Sequence, residues 1–273
     1  MNLFTIDQNK CKQDGICAAE CPAGLISFDK GSYPAMREGA EEFCINCGHC
    51  VAVCPHGAFS LKTMKPEDCS PVQKNLIPGA ESIEHFLVTR RSIRKYKDKP
   101  VEKTILSKLI EIASNAPSGH NTQPVNWLVI ENTDEVKRLA GLVIDWMRIT
   151  IKENPAIAVP MHMDRIVAMW EIGKDRICRR APHVIVAHSE KNQRTAPAAC
   201  NIALTYLELA AYSMGLGACW AGYFGTAANL YLPMKQALGL PEGHVNFGAM
   251  LIGNPQFSFH RVPLRNKPVV TWR

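Results

Sequence analysis

The sequence lacks the features that would carry a chain out of the cell or across a membrane. Its first residues contain no basic segment followed by an apolar run, so we expect no signal peptide. The longest apolar stretch, residues 196–222, is interrupted by Glu208 and by several polar side chains, which suits a buried helix better than a lipid-facing one. We therefore predict a cytoplasmic protein with no membrane partner.

The chain also lacks a concentrated basic surface and a dinucleotide-binding fingerprint. Its net charge of +6 is spread over 273 residues, which is too dilute to indicate a nucleic-acid partner. The sequence Gly215-Leu216-Gly217 matches the start of the fingerprint, but it follows a predicted helix, whereas the fingerprint follows a strand and opens a helix. We therefore expect neither a nucleic-acid partner nor a Rossmann domain.

Cysteine is abundant, and its spacing is informative. Eleven cysteines in a chain predicted to stay in the cytoplasm indicate metal or redox chemistry rather than disulfide bonds. Cys44, Cys47, Cys50 and Cys54, followed by Pro55, have the C-x2-C-x2-C-x3-C-P spacing of bacterial ferredoxins. A zinc site would normally use two separated C-x2-C pairs and would not need the proline.

A second copy of this run lies earlier in the chain. Cys11, Cys17, Cys21 and Pro22 repeat its spacing, and Asp14 stands where the second cysteine would be. The N-terminal segment is therefore an internal duplication that resembles a two-cluster bacterial ferredoxin, with Asp14 as its one departure. The resemblance implies that this segment holds two iron-sulfur clusters and transfers electrons.

The resemblance also implies two ligand sets, because the fourth cysteine of each run in such ferredoxins serves the other cluster. One set is Cys21, Cys44, Cys47 and Cys50, and the other is Cys11, Asp14, Cys17 and Cys54. Two interpretations of Asp14 are open. Its carboxylate ligates or adjoins a 4Fe-4S cluster, which we favour, or it belongs to an Asp14-Gly15 turn beside a 3Fe-4S cluster.

The chain divides at a stretch rich in proline and turn-forming residues. We predict a ferredoxin-like iron-sulfur domain over residues 1–64, a linker over 65–81 and a larger domain over 82–273. In the larger domain, apolar periodicity predicts helices near 106–113, 133–146 and 230–238, and strands near 127–130, 184–187, 218–224 and 245–252. The predicted fold class is α+β, a mixed sheet wrapped by helices.

Short motifs of the larger domain occur in an order typical of one family. They are Arg90, Arg91 and Ser92; then Pro117, Ser118, Gly119 and Asn121 in the loop 116–124; then Cys219, Trp220, Ala221 and Gly222 in the segment 215–222; and finally Arg261. In this order they resemble the FMN-dependent nitroreductase family, from about Ile83 to the C-terminus. The resemblance implies a nitroreductase-like oxidoreductase with FMN as its cofactor.

The resemblance assigns a role to each motif. The first motif and Arg261 would bind the FMN phosphate, because guanidinium groups and a hydroxyl form charge-assisted hydrogen bonds with a dianion. The loop 116–124 would contact the flavin of a partner subunit, which implies a homodimer. The third motif would present its backbone to the flavin ring. A basic side chain beside the ring would be one of Lys174, Arg176, Arg179 and Arg180.

The region between Gly141 and Asp175 is where the family places a variable substrate lid. Its methionines and tryptophans suit either an apolar cover over a planar substrate or ordinary core packing. No catalytic side chain is assigned, since protons can come from solvent or from a backbone amide.

A flavin accepts two electrons, whereas a cluster passes one, so their combination predicts an electron converter. In our leading hypothesis a low-potential carrier reduces the clusters, electrons collect on FMN, and a small planar acceptor of nitroaromatic or quinone type is reduced. In a second hypothesis NAD(P)H reduces FMN and the clusters reduce a partner. A third is an electron carrier without a small-molecule substrate.

Overall fold

Residues 3–273 are described by a computed structural model, in which the chain divides into two units. The N-terminal unit consists of the described residues up to Pro78 together with the short segment His120–Thr122. The C-terminal unit consists of Gly79–Gly119 and Gln123–Arg273. Most of the predicted linker, residues 65–78, therefore belongs to the N-terminal unit.

The N-terminal unit is built from short elements. They are β1 (Phe4–Ile6), α1 (Ile16–Glu20), β2 (Ile26–Ser27), β3 (Ala35–Met36), α2 (Ala40–Phe43), α3 (His49–Ala52) and β4 (Phe59–Leu61). β1 pairs with β4 and β2 pairs with β3, both antiparallel. The buried core is small and includes Phe4, Ile26, Phe59 and two cysteines, Cys17 and Cys50. Such a unit has little apolar surface to bury for stability.

The backbone conformation of the N-terminal unit also shows the duplication that the cysteine spacing predicts. Gly15 and Gly48 precede α1 and α3 with φ angles of 73° and 75°. This left-handed conformation favours glycine. The fit is also tight, because a Cβ at Gly15 would lie 2.5 Å from the ring of Phe28. The two ligand loops are thus two copies of one local structure.

The C-terminal unit contains eight helices and four strands in its described residues. They are α4 (Ala80–Thr89), α5 (Lys103–Ala113), β5 (Asn126–Ile130), α6 (Thr133–Glu153), α7 (Pro155–Ala158), α8 (Met163–Glu171), β6 (His183–Glu190), α9 (Ala196–Ser213), β7 (Gly217–Trp220), α10 (Gly222–Leu230), α11 (Leu232–Leu238) and β8 (His244–Gly253). The strands form one sheet in the order β5-β6-β8-β7, and its three pairings are antiparallel. The predicted α+β class is confirmed.

Two separate apolar cores form around this sheet. One includes buried residues of α6, α10 and α11, and the other includes buried residues of α5 and α9. The first seven of the eight residues of β6 are buried, which matches its nearly continuous apolar sequence. Helix α9 is the apolar stretch noted in the sequence, and it packs against α5 and the sheet. Within residues 3–273, no helix has the length and apolar character needed to span a membrane.

The largest differences from the predicted boundaries concern one strand and one helix. The strand predicted over 218–224 ends at Trp220, and α10 begins at Gly222. Phe224, Ala227 and Ala228 are all buried, so this segment has helical rather than strand periodicity. The helix predicted to run toward residue 146 continues to Glu153.

The structure also shows how α6 is capped and where the residues of the predicted lid lie. Asn132 caps α6, since its side-chain oxygen accepts hydrogen bonds from the backbone N–H groups of Asp134 and Glu135 at 2.8 and 3.0 Å. In the predicted lid, Trp146, Met147 and Met163 are buried in the core. Packing therefore accounts for these apolar side chains.

Candidate functional site

The structure brings the two predicted cluster ligand sets together around two separate hollows of the N-terminal unit. One hollow is lined by Cys21, Cys44, Cys47 and Cys50. The other is lined by Cys11, Asp14, Cys17 and Cys54. In each set the fourth cysteine of one run joins residues of the other run, which is the crossed arrangement of two-cluster ferredoxins. We call these the second and the first cluster site, respectively.

The cysteines of each site have environments suited to bound metal. Burial raises the pKa of the Cys17 thiol, and it raises the pKa of the Cys50 thiol to about 12. Such thiols stay protonated at neutral pH unless a metal ion replaces the proton. The Sγ atoms of Cys21 and Cys54 accept backbone hydrogen bonds at 3.4 and 3.3 Å. Hydrogen bonds of this kind stabilise sulfur ligands and tune cluster potentials.

The spacing of these donors matters for the kind of metal group they could hold. No three His, Cys, Asp or Glu side chains within residues 3–273 are close enough together to ligate a single metal ion. A cubane differs, because it carries four iron atoms and each protein ligand binds a separate corner. The separated donors around each hollow therefore suit a cluster.

Asp14 lies at the rim of the first cluster site. Its side chain is exposed, and Oδ1 accepts a hydrogen bond from the backbone N–H of Ile16 at 3.3 Å. The carboxylate lines the same hollow as Cys11 and Cys17, so it can both stabilise the start of α1 and face a cluster. The two interpretations of Asp14 made from the sequence are both compatible with this position.

The first predicted flavin motif lies at the end of α4 in the C-terminal unit. Arg90 Nη1 donates to Glu208 Oε1 of α9 at 2.7 Å, so its charge is already compensated. Arg91 Nη2 donates to the carbonyl oxygen of Val88 at 2.6 Å. Among the side chains of residues 3–273, Arg91 Nε is a buried nitrogen that has no hydrogen-bond partner. A buried donor of this kind is costly unless an acceptor satisfies it, and a phosphate oxygen would do so.

The backbone after this motif runs beside the third motif. The N–H of Ile93 donates to the carbonyl oxygen of Ala218 in β7 at 2.8 Å. A Cβ at Gly217 would lie within 2.7 Å of side-chain atoms of Ile93, so glycine is required for this approach. The residue that directly follows the first motif therefore packs against the third motif, although the two are far apart in the sequence.

The third motif lines a cavity of about 430 Å³. Trp220, Ala221 and Gly222 form one side of it, and residues of β8 such as Phe247 form another. This volume falls within the range of small-molecule sites. Trp220 and Gly222 are the exposed members of the motif, whereas Cys219 and Ala221 are buried.

A larger cavity of the C-terminal unit is lined by none of the three motifs, but it includes Arg179 and Arg180, two of the four predicted basic candidates for the flavin ring. It measures about 920 Å³ and is lined by basic side chains that include Lys95, Lys137 and Arg179, together with Tyr96 and Trp170. The three acidic side chains Asp98, Asp134 and Asp175 also line it. Because both positive and negative side chains line this cavity, its charge does not indicate one class of ligand. We therefore keep the smaller cavity beside β7 as the candidate flavin site.

The remaining predicted contacts are found in irregular segments. Pro117 and Gly119 are exposed, and Ser118 Oγ accepts a hydrogen bond from the N–H of Gln123 at 2.9 Å, which closes the loop. Arg261 is exposed in the C-terminal segment after β8. Their roles toward FMN stay predictions.

The comparison with family models decides the identity of the larger domain. The nitroreductase family model matches residues 87–254, which is more than half of the chain.

The chain belongs to the nitroreductase family.

This nitroreductase carries a further domain at its N-terminus. A 4Fe-4S dicluster domain model matches residues 3–55, the segment that contains both cysteine runs. Together the two matches confirm the predicted recognition, a nitroreductase-family oxidoreductase with a ferredoxin-like 4Fe-4S domain.

Individual relatives agree with the family match. An NADH dehydrogenase from Thermus thermophilus is 26% identical over 198 residues, covering 67% of this chain and 92% of the relative. A nitroreductase with bound FMN from Desulfitobacterium hafniense has a TM-score of 0.58 and 24% identity, covering 71% of this chain and 99% of that one. A nitroreductase with bound FMN from Bacteroides fragilis has a TM-score of 0.57 and 21% identity, covering 70% and 98%. The structural likeness shows a shared fold.

Only the structure shows that two basic residues of the nitroreductase domain lie near the third motif. Burial raises the pKa of the Cys219 thiol, and the positive charges of Arg94 and Arg179 oppose that rise, so both guanidinium groups lie near β7. The sequence assigned no role to Arg94, and Arg179 was one of four candidates for a basic side chain beside the flavin ring. Their proximity to the third motif depends on tertiary folding, so no local sequence pattern predicts it.

Proposed function

We propose that this protein is an iron-sulfur flavoprotein oxidoreductase with two 4Fe-4S clusters and one FMN per chain. Electrons pass between the clusters and FMN for the two-electron reduction of a small planar acceptor of nitroaromatic or quinone type. One observation supports the proposal most strongly. Two hollows, each lined by four predicted cluster ligands, occur in a chain whose other domain belongs to the nitroreductase family.

The cluster ligands follow from the two hollows. Cys21, Cys44, Cys47 and Cys50 hold the second cluster, and Cys11, Asp14, Cys17 and Cys54 hold the first. We assign the fourth corner of the first cluster to the Asp14 carboxylate. A carboxylate is a harder and more exchangeable ligand than a thiolate, so this cluster loses or exchanges one iron more readily than the second.

The FMN site is assigned to the region where the first and third motifs adjoin. The unpartnered Nε of Arg91 and the hydroxyl of Ser92 supply donors for a phosphate. The segment from Trp220 to Gly222 borders the smaller cavity, and in a homodimer the loop around Gly119 completes the site of the partner subunit. FMN supplies a group that takes two electrons together or one at a time. The chain contributes positioning, charge compensation and exclusion of water.

Cofactor analysis of anaerobically purified protein tests the proposal directly. We expect a brown protein with about eight irons and eight sulfides per chain, as two four-iron clusters require, and one extractable FMN. Protein that stays colourless and free of sulfide after reconstitution would contradict the cluster assignment. Protein with clusters but without bound FMN would contradict the flavin assignment alone.

The role of Asp14 is tested by an Asp14→Cys variant. We expect its first cluster to gain the EPR signal and stability of an all-cysteine four-iron cluster, because thiolate is the regular ligand at that corner. An Asp14→Asn variant is the matched control, since it keeps the side-chain shape and the oxygen that accepts from Ile16 but removes the charge. Identical EPR spectra and iron contents in all three proteins would rule out Asp14 as a ligand.

A second candidate function reverses the direction of electron flow. The Thermus thermophilus relative is named an NADH dehydrogenase, which favours NAD(P)H as a direct reductant of FMN, with the clusters then reducing a partner. Anaerobic stopped-flow mixing with NADH distinguishes the two. Rapid bleaching of FMN before any change in cluster absorbance would support this candidate and contradict entry of electrons at the clusters.

A further inference from the structure

Three residues of the loop between α5 and β5 form part of the N-terminal unit. Within that unit, Asn121 Nδ2 donates to the carbonyl oxygens of Ile45 and Asn46, at 3.2 and 2.9 Å. Both carbonyls belong to the ligand loop of the second cluster site, between Cys44 and Cys47. The family resemblance implies a flavin contact for Asn121, but the structure gives its amide a different set of partners.

The backbone on both sides of this contact has an unusual conformation. His120, Asn121 and Gln123 have φ angles of 51°, 52° and 44°, and Asn46 has a φ of 51°. Residues other than glycine adopt the left-handed region at a cost, so the surrounding bonds must hold them there. Gln13, the equivalent of Asn46 in the first run, has a φ of 53°, so this turn is built into both ligand loops.

We propose that Asn121 is a positioning residue for the second cluster. Its amide fixes the direction of two carbonyl groups between Cys44 and Cys47 and so sets the conformation and electrostatics of that ligand loop. This inference rests on the proposed function, in which Cys21, Cys44, Cys47 and Cys50 hold a 4Fe-4S cluster.

The electrostatic consequence has a definite sign. The two amide protons of Asn121 place partial positive charge against the carbonyl oxygens of Ile45 and Asn46. Without these protons, the partial negative charge of the carbonyls acts uncompensated on the cluster. Reduction adds one negative charge to the cluster, so it becomes less favourable, and cluster potentials respond to such nearby charge and hydrogen bonding. A carboxylate at the same position would oppose reduction further.

The variants that test the role of Asn121 are Asn121→Ala and Asn121→Asp, prepared as full-length holoprotein. Asn115→Ala is a matched control, because Asn115 Nδ2 also donates to two backbone carbonyls, those of Glu111 and Ile112, at 3.0 and 3.4 Å. The measurement is an anaerobic redox titration with dithionite, monitored by EPR, in which each cluster takes one electron. Repeating it in an Asp14→Cys background assigns the signals, since only the first cluster changes there.

We expect the equilibrium constant for reduction of the second cluster to fall by up to roughly 10-fold in Asn121→Ala, because only the part of the hydrogen-bond energy that differs between the oxidised and the reduced cluster shifts the equilibrium. It falls further in Asn121→Asp, while the first cluster and Asn115→Ala match the parent protein. Loss of about half of the iron in Asn121→Ala, with the first-cluster signal retained, would also support the role.

Any of four results would overturn the inference. Unchanged potentials of both clusters in both Asn121 variants would do so, as would loss of FMN with the clusters unaffected, which would return Asn121 to the flavin. Equal shifts of both clusters, or a shift in Asn115→Ala, would show a non-specific effect and also overturn it. Failure of the proposed function is separate, because the parent protein would then contain no iron or sulfide.

Discussion

The two units of this protein use the same residue type in opposite ways. Eight of the eleven cysteines lie before residue 70, and seven of those line the two hollows of the N-terminal unit. The other three, Cys178, Cys200 and Cys219, are buried in the apolar cores of the C-terminal unit. Burial raises the pKa of the Cys200 thiol to about 11, which is typical of an inert core thiol.

The difference shows that the surroundings of a cysteine decide what it contributes. The N-terminal unit has a small core, so metal-thiolate bonds must supply much of its stability. The C-terminal unit instead buries two apolar cores around its sheet. All five tryptophans lie after residue 126, so tryptophan fluorescence reports on the C-terminal unit alone. Experiments can therefore follow the two units separately.

Removal of iron should have the largest effect and should affect one unit only. Structural metal sites contribute on the order of 10 kcal/mol to folding, so anaerobic chelation should unfold the N-terminal unit. Hydrogen exchange should show loss of protection across residues 3–69, while the tryptophan-detected melting curve changes little. Retained protection in iron-free protein would show that the small core suffices, and the contrast between the units would fail.

Loss of the buried ion pair should have the next largest effect, now in the C-terminal unit. A Glu208→Ala change leaves Arg90 without its partner, and breaking a buried pair costs about 3 kcal/mol. The control is Glu171→Ala, whose partner Arg148 is more exposed, so the expected cost is under about 1 kcal/mol. Tryptophan-detected urea unfolding measures both. Equal effects would show that the Arg90–Glu208 pair acts as a surface pair.

Two glycine substitutions in the C-terminal unit should change stability in opposite directions. Gly217→Ala places a methyl group against Ile93 and should cost about 1–3 kcal/mol through overpacking. Gly141→Ala lies within α6, where the nearest atom, in Trp170, is 3.9 Å away, so it should stabilise by about 0.5–1 kcal/mol. Chemical unfolding measures the difference. A tolerated Gly217→Ala would mean that the segment around Ile93 can move away from β7 without cost.

The smallest expected effect is a pH dependence that arises from His183. Its Nε2 accepts from the N–H of Val101 at 2.8 Å, its Nδ1 lies 2.8 Å from the carbonyl oxygen of Glu131, and burial lowers its pKa. The unfolded chain then binds a proton more readily, so stability is complete above about pH 6.5 and declines as the pH falls below that value. His188, whose pKa burial also lowers, adds a contribution of the same sign.

The test replaces His183 with glutamine, which offers both an acceptor and a donor but does not titrate. At pH 7 the His183→Gln variant should lose about 1 kcal/mol, because its hydrogen-bond geometry is less favourable. Between pH 7 and pH 5 its stability should decline less than that of the parent protein. An unchanged slope of unfolding free energy against pH would assign the dependence to other groups.

The cluster ligand sets illustrate what a local pattern can predict. The two cysteine runs are copies, so each ligand loop could be inferred from the other, and the crossed sets surround the two hollows. Apolar periodicity likewise located α5, β5, β6 and α9. The predicted end of β7 was wrong. The segment that follows it, Gly222–Leu230, is rich in small apolar residues, and such a sequence fits both helical and strand periodicity unless the neighbouring elements are known.

The family, the fold class, the duplicated ligand loops and the main helices and strands could be read from the order of residues alone. The family was inferred from a resemblance of short motifs, whereas the other features depend on spacing and periodicity, which need no distant partner. The pairing of Arg90 with Glu208, the position of Arg94 and Arg179 near Cys219, and the hydrogen bonds of Asn121 to the second ligand loop required the folded chain. Each joins residues that are distant in sequence, and such contacts arise from the packing of whole elements and leave no local signal.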